Sequence, residues 1–270
     1  MKRLLKNAVL LALAVLAALL VHDRVRKEKE AQTAGRGGTE QAESQGTEPQ
    51  DAESMEVIGT ESGVTLGRLE ENPSGGVRVI VTAEDGTVQA YTFTDVAPDS
   101  WYADAVNFVV SAGLMTGSGE EDLFHPEYGI LRESFAAILY RFTNGVSVEP
   151  SVHFDDVSEG SWYYDAVNWV TNDRLMTSLT PATFGVGEFM TCEQALVCLY
   201  RVAGLPETDG ALTGYPYASK VTASGRRAVD WAWKNGLITE VECVWYPTQA
   251  ISRAQVALLL MRYSAMAENG

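Results

Sequence analysis

This sequence predicts a mainly α-helical protein assembled from repeated helix–loop–helix units. Three observations carry that prediction. A block of motifs recurs through the C-terminal two-thirds of the chain, with Trp101 and Trp162 61 positions apart, Arg141 and Arg201 60 apart, and Arg201 and Arg262 61 apart. A fixed period of this size marks a repeat architecture before any local propensity is consulted. Inside each block, apolar residues fall at three- and four-residue steps, the signature of a helix with one buried face. Helix-entry chemistry then stands at matching places in the blocks.

The chain has 270 residues and a net charge of −16. Residues 1–22 begin with Lys2, Arg3 and Lys6, followed by an apolar run from Ala8 to Val21. A helix of that length reaches about 21 Å, short of the roughly 30 Å hydrocarbon core, so the segment reads as an export signal. No small-x-small triplet closes the run, and Arg24, Arg26, Lys27 and Lys29 follow it at once. Cleavage and retention as an anchor both stay open, and this segment is the chain's one expected membrane contact. No cysteine stands near it, which argues against a lipid-anchored lipoprotein. Residues 23–62 are rich in Gly, Ser, Thr, Gln and Glu and lack aromatics, the composition of an acidic, disordered linker. Residues 63–92 carry an alternating run, Val77 to Thr82, then Glu84-Asp85-Gly86 and a second run from Val88. That is the pattern of a short β-hairpin, which in isolation is marginal and must lean on another surface.

Three copies of the unit follow, at 93–145, 154–204 and 214–263. Copy one reads Phe93-Thr94-Asp95-Val96, Trp101-Tyr102, Asp104-Ala105-Val106-Asn107, Gly113-Leu114-Met115-Thr116-Gly117, Phe124-His125-Pro126 and Leu131-Arg132-Glu133. Copy two repeats this as Phe154-Asp155-Asp156-Val157, Trp162-Tyr163, Asp165-Ala166-Val167-Asn168, Leu175-Met176-Thr177 and Phe184. Copy three is the degenerate one, with Ala228-Val229, Gly236-Leu237-Ile238-Thr239, Trp245-Tyr246-Pro247 and Ser252-Arg253-Ala254-Gln255. Each copy reads as two helices. Ser100 and Ser161 are expected to cap the first, and Gly113 and Gly236 to end it in the left-handed conformation. The second helix opens with a capping box in copies two and three, Thr191 with Gln194 and Ser252 with Gln255. In copy one Leu131 stands at the cap position and offers no hydroxyl.

These motifs together resemble the S-layer homology family, across roughly Phe93 to Tyr263. The resemblance implies a pseudo-threefold trimer of helix–loop–helix repeats around a central three-helix bundle. It also implies a non-catalytic module that attaches to anionic, pyruvylated secondary cell-wall polysaccharide in the grooves between repeats, on an exported, cell-surface protein. The site residues it implies are Arg253 and Arg132 at the starts of second helices, with Gln255, Gly113, Leu114, Gly236 and Leu237. Trp101 and Trp162 offer flat faces to sugar rings. The physical logic is a guanidinium at the positive end of a helix, where free backbone amides also favour an anion and a carboxylate can be gripped through two bonds. The match is uneven. Cys192 stands where copy two needs the arginine, and Ser219 stands where copy three needs the opening aspartate. Such drift leaves a second reading, in which the repeats dock an envelope protein.

Other function classes fare worse. The acidic balance argues against nucleic-acid binding. No nucleophile elbow, His-Glu-x-x-His or P-loop is present, so no catalytic set, cofactor or metal is expected. Asp95 and Asp156 are read as satisfying turn amides, and Arg141, Arg201 and Arg262 as complementing helix C-termini. A Cys192–Cys243 bridge stays open, since sequence alone does not fix its geometry.

Overall fold

The computed structural model describes residues 66–83, 85–117 and 122–268. These belong to one compact unit, Pro49–Gly270; a preceding unit, Met1–Glu48, falls outside the described residues. The export signal at 1–22 and the linker at 23–62 therefore also lie outside them. No helix among the described residues is long and apolar enough to cross a membrane.

The chain enters through a sheet of three strands, β1 (Arg68–Glu71), β2 (Val77–Thr82) and β3 (Val88–Phe93), in the order β1-β2-β3. The expected hairpin is β2 with β3, paired antiparallel from Val77↔Phe93 to Thr82↔Val88. The sheet corrects that expectation by one strand, because β1 pairs with β2 on its other edge. Its sequence, Arg-Leu-Glu-Glu, is too polar and too short to show an alternation. β2 buries Val77 and Val79 completely and packs on the first helix. Gly67 fixes the contact: its amide donates to Ser111 Oγ at 2.8 Å and its carbonyl accepts from Asn107 Nδ2 at 3.0 Å.

Six α-helices follow among the described residues: α1 (Ala103–Ser111), α2 (Arg132–Phe142), α3 (Tyr164–Asn172), α4 (Cys192–Val202), α5 (Arg226–Lys234) and α6 (Arg253–Glu268). They form three pairs in chain order, joined within each pair by a loop that carries Phe124, Phe184 or Trp245. The first helices stop where the chain turns left-handed, at Gly113 (φ 65°) and Gly236 (φ 68°), as glycine permits. Arg174 (φ 57°) takes that place in the middle pair. The arginine near the end of each second helix then donates to the carbonyl that follows this stop. Arg141 reaches Leu114 O at 3.2 Å, Arg201 reaches Leu175 O at 3.1 Å and Arg262 reaches Leu237 O at 3.3 Å. Arg141 and Arg201 stand in the last turn, where they also complement the dipole, whereas Arg262 lies six residues before the end of its helix, which corrects that expectation; each ties its own pair together.

Ser100 and Ser161 do not cap the first helices. Their hydroxyls donate backwards, to Ala97 O and Ser158 O, and the helices begin three residues later behind Tyr102 and Tyr163. The Trp-Tyr dipeptide occupies the intervening turn, so the serine is one turn too early to reach the helical amides. The capping boxes of the second helices are present at Thr191/Gln194 and Ser252/Gln255, and Leu131 makes no side-chain cap.

The closest helix packing runs between pairs: α2 against α3, α4 against α5, and α6 back against α1. The tight contacts therefore join a first helix to the second helix of a neighbouring pair, and no second helix packs comparably on another. At one point the three pairs meet through backbone alone. Met190 N donates to Ile130 O at 2.9 Å, Ile130 N to Ile251 O at 3.0 Å, and Ile251 N to Met190 O at 2.9 Å. All three side chains are buried. This closed ring of hydrogen bonds leaves none of the six backbone groups it uses to be satisfied by water.

Candidate functional site

Each second helix begins two residues beyond this ring, and its first residue faces the loop of a neighbouring pair. The backbone does the same thing at all three junctions: Arg132 N donates to Glu188 O, Cys192 N to Gln249 O and Arg253 N to Tyr128 O, each at 2.9 Å. Ala254 N and Glu193 N are likewise taken, by Pro126 O at 2.9 Å and Pro247 O at 3.0 Å. Gln255 N turns to Ser252 Oγ. The free first-turn amides that would have favoured an anion at the α6 tip are therefore already engaged by two protein carbonyls and a hydroxyl, which corrects that part of the sequence argument.

The guanidinium groups are placed with matching geometry. Arg132 donates from Nε to Phe184 O at 3.0 Å and from Nη2 to Thr177 O at 2.6 Å, with its Cζ 4.9 Å from the centre of the Phe184 ring. Arg253 donates from Nε to Phe124 O at 2.7 Å and from Nη2 to Thr116 O at 2.6 Å, with its Cζ 4.7 Å from the Phe124 ring. Each arginine thus crosses a junction, grips two loop carbonyls and lies over the ring between them, where a cation is attracted to the π face. Gly185 (φ 100°) makes room for the first, since a Cβ there would come within 2.8 Å of Arg132 Nε. Burial lowers the pKa of both guanidinium groups, and brings that of Arg253 down to about 10 although Asp95 nearby favours its charge. The two differ in access. Arg132 is buried, with 3% of its surface exposed, whereas Arg253 is only half-buried.

The loops are held up to the arginines from below. Asp95 accepts from Phe124 N at 2.8 Å and His125 N at 2.7 Å. Asp156 does the same for Phe184 N, Gly185 N and Val186 N. Burial raises the pKa of Asp156, but these three amides outweigh it and the net shift is downward. The opening aspartates are therefore turn acceptors. Among the described residues, no group of three or more His, Cys, Asp or Glu side chains could hold a metal ion.

The remaining candidates scatter. Gln255 is buried and fully used, its Oε1 on Ser252 N and its Nε2 on Val244 O. Leu114 and Leu237 lie in the core and present only their carbonyls, which Arg141 and Arg262 occupy. Gly113 is half-buried and Gly236 exposed at the helix stops. Trp101 is half-buried edge-on to Tyr102. Trp162 stands edge-on to Tyr163 with 48% of its surface exposed, which leaves an indole face open to solvent. All three cysteines are free thiols; burial pushes those of Cys192 and Cys198 up to about 12. The residues that the sequence reading missed are the arginines' partners: Thr116 and Thr177, and the carbonyls of Phe124 and Phe184. Their signal was present, because both phenylalanines sit at the same point of the repeated motif.

Residues 92–136, from the last strand through the start of α2, match the model of the S-layer homology domain. That stretch is similar to an S-layer homology domain. It contains the Phe124 loop and Arg132, and so one half of each of the two arginine junctions. The chain is also similar to the Surface-layer 125 kDa protein of Lysinibacillus sphaericus, at 27% identity over 196 residues. The aligned region covers 70% of this chain and 16% of that relative.

Proposed function

We propose that this protein is a non-catalytic module that fastens its bearer to the bacterial cell envelope. On this reading it is a cell-surface protein, as its S-layer homology domain and surface-layer relative support. It grips anionic, pyruvylated secondary cell-wall polysaccharide at the junctions between helix pairs. The wider architecture is a pseudo-threefold arrangement of three repeats, at 93–145, 154–204 and 214–263. The cyclic order of helix contacts and the ring at Ile130, Met190 and Ile251 support it.

One observation carries the ligand reading: Arg253 is a part-exposed residue whose guanidinium has Nε and Nη2 fixed across a junction while Nη1 takes part in neither bond. A sugar carboxylate meets there a positive charge already held in one orientation, and charge-assisted hydrogen bonds of this kind are roughly twice as strong as neutral ones. The net charge of −16 opposes an anionic polymer at long range, but screening beyond about 8–10 Å leaves the local guanidinium to decide. Trp162 supplies an exposed aromatic face for a neighbouring sugar ring.

The test is sedimentation with purified wall sacculi from the organism that makes the protein, before and after chemical removal of the polymer. The intact chain is expected to pellet only with untreated sacculi. Arg253→Ala is expected to weaken that binding about 10-fold or more, the loss of one charged hydrogen bond of about 1.5–3 kcal/mol. Equal pelleting by stripped sacculi removes the polymer as ligand. The rival reading, docking of an envelope protein, draws on Tyr128 and Phe189, both more than half exposed beside the ring. It predicts no dependence on the polymer at all.

A further inference from the structure

The junction between the second and third helix pairs departs from the other two in a way that assigns a role to Tyr215. Its backbone is the same, with Cys192 N on Gln249 O, but the side chain that should cross it is a buried cysteine. On the opposite side, Trp245 replaces the phenylalanine of the other loops and is also buried. The carbonyl that an arginine would take, Trp245 O, accepts instead from the hydroxyl of Tyr215. Tyr215 comes from the segment before α5 and is buried, edge-on to Trp233 and Tyr217. Burial, and to a lesser degree Cys192, raise the pKa of its hydroxyl. Two large aromatics have taken the volume that a guanidinium occupies elsewhere, and the indole Nε1 of Trp245 is buried there without a hydrogen-bond partner. Glu193 closes the same junction further, accepting from Thr222 N at 2.9 Å and from the Thr222 hydroxyl.

We infer that this junction is a sealed seam without a cation, in which Tyr215 makes the hydrogen bond that Arg132 and Arg253 make elsewhere. Resting on the function proposed above, the inference adds that acidic wall polymer is excluded from this junction and can bind only where a guanidinium crosses. A phenol offers one donor and no charge, so nothing at the seam attracts a carboxylate. The one donor is directed into the protein.

The experiment compares the full chain with Tyr215→Phe, Cys192→Arg and the double variant, by thermal unfolding and by sedimentation with untreated sacculi. Tyr215→Phe orphans Trp245 O and is expected to lower Tm by about 2–6 °C. Cys192→Arg inserts a guanidinium into filled space with its acceptor occupied, and is expected to lower Tm by at least about 5 °C. In the double variant the arginine inherits the carbonyl, so it is expected to melt above Cys192→Arg alone. A double variant that melts at the sum of the two losses, or a Cys192→Arg protein as stable as the parent, overturns the inference without reference to any ligand. In the binding arm, Tyr215→Phe assayed well below its Tm is expected to pellet within 2-fold of the parent. A loss as large as that of Arg253→Ala overturns confinement to the arginine junctions. Failure of the parent itself to pellet defeats the proposed function and with it the confinement, while the melting arm still judges the seam.

Discussion

Arg132 is the strongest test of the idea that these junctions are held by guanidinium groups and not merely by apolar packing. In Arg132→Ala the carbonyls of Phe184 and Thr177 lose charged donors at 3.0 and 2.6 Å. Each such carbonyl, left buried, costs about 1–3 kcal/mol, and the lost cation–π contact over Phe184 adds about 1 kcal/mol. Against this stands the relief of no longer burying a charge, which amounts to several kcal/mol when an ion is taken out of water. The cavity also admits water to the freed carbonyls. The balance is a net destabilisation of about 2–4 kcal/mol, or a fall in Tm of roughly 5–15 °C for a unit of this size. Arg132→Lys should recover less than half of it, because an ammonium reaches one carbonyl and lacks the planar fork that bridges both. Urea unfolding followed by tryptophan fluorescence measures the difference directly, provided the m-value stays at that of the parent. A loss below about 1 kcal/mol at unchanged m would show that the carbonyls find other donors and that the guanidinium is a passenger.

Two further outcomes follow from local chemistry. Thr191→Ala removes a capping box and is expected to destabilise by about 1 kcal/mol, while Leu131→Ala, at the same point of α2, has no cap to lose; paired urea titrations separate the two. Asp230 is buried and accepts from Leu212 N, the Thr208 hydroxyl and Lys234. Burial raises its pKa, but those bonds prevail and hold it at about 2, against an ordinary aspartate value near 4. A carboxyl depressed on folding stabilises above its unfolded pKa, so on the order of 2 kcal/mol present at neutral pH is lost as pH falls from about 4 to 2. Asp230→Asn, the residue found at the matching positions 107 and 168, should flatten that stretch of the acid-unfolding curve, and an unaltered curve would refute the assignment.

Much of this was legible in the sequence because it is local. Gly113 and Gly236 end helices for a reason confined to their own φ angles, and Thr191 with Gln194 makes a box within four residues. The alternation of β2 is visible because Val77 and Val79 point to one face. What was not legible depends on partners far along the chain. Arg253 reaches carbonyls 129 and 137 residues away, and no spacing rule says whether such a side chain turns outward to a ligand or inward to a loop. Tyr215 was invisible for the same reason: its hydroxyl stands in for an arginine on another helix, and nothing in its own neighbourhood signals that. β1 failed differently, since three charged residues and one leucine become a strand only when β2 presents an edge to them.

The inward turn of the arginines changes what a wall ligand would have to do. A free guanidinium on a helix tip could present both amino groups to a carboxylate, but Arg253 has only Nη1 outside its two loop bonds, and Phe124 O and Thr116 O put partial negative charge beside it. The compensation is orientation. An arginine side chain carries about 2 kcal/mol of rotamer entropy, and here the loop has removed that freedom before any ligand arrives, so less is lost on binding. The same fixation ties recognition to stability, because a substitution that frees Arg253 also loosens the junction between α6 and the Phe124 loop. Under the proposed function, Arg132, with the same bonds but almost no exposure, would lie at the stability end of that trade, and the part-exposed Arg253 nearer the recognition end. Their alanine variants should divide accordingly, with Arg132 felt first in unfolding and Arg253 first in binding.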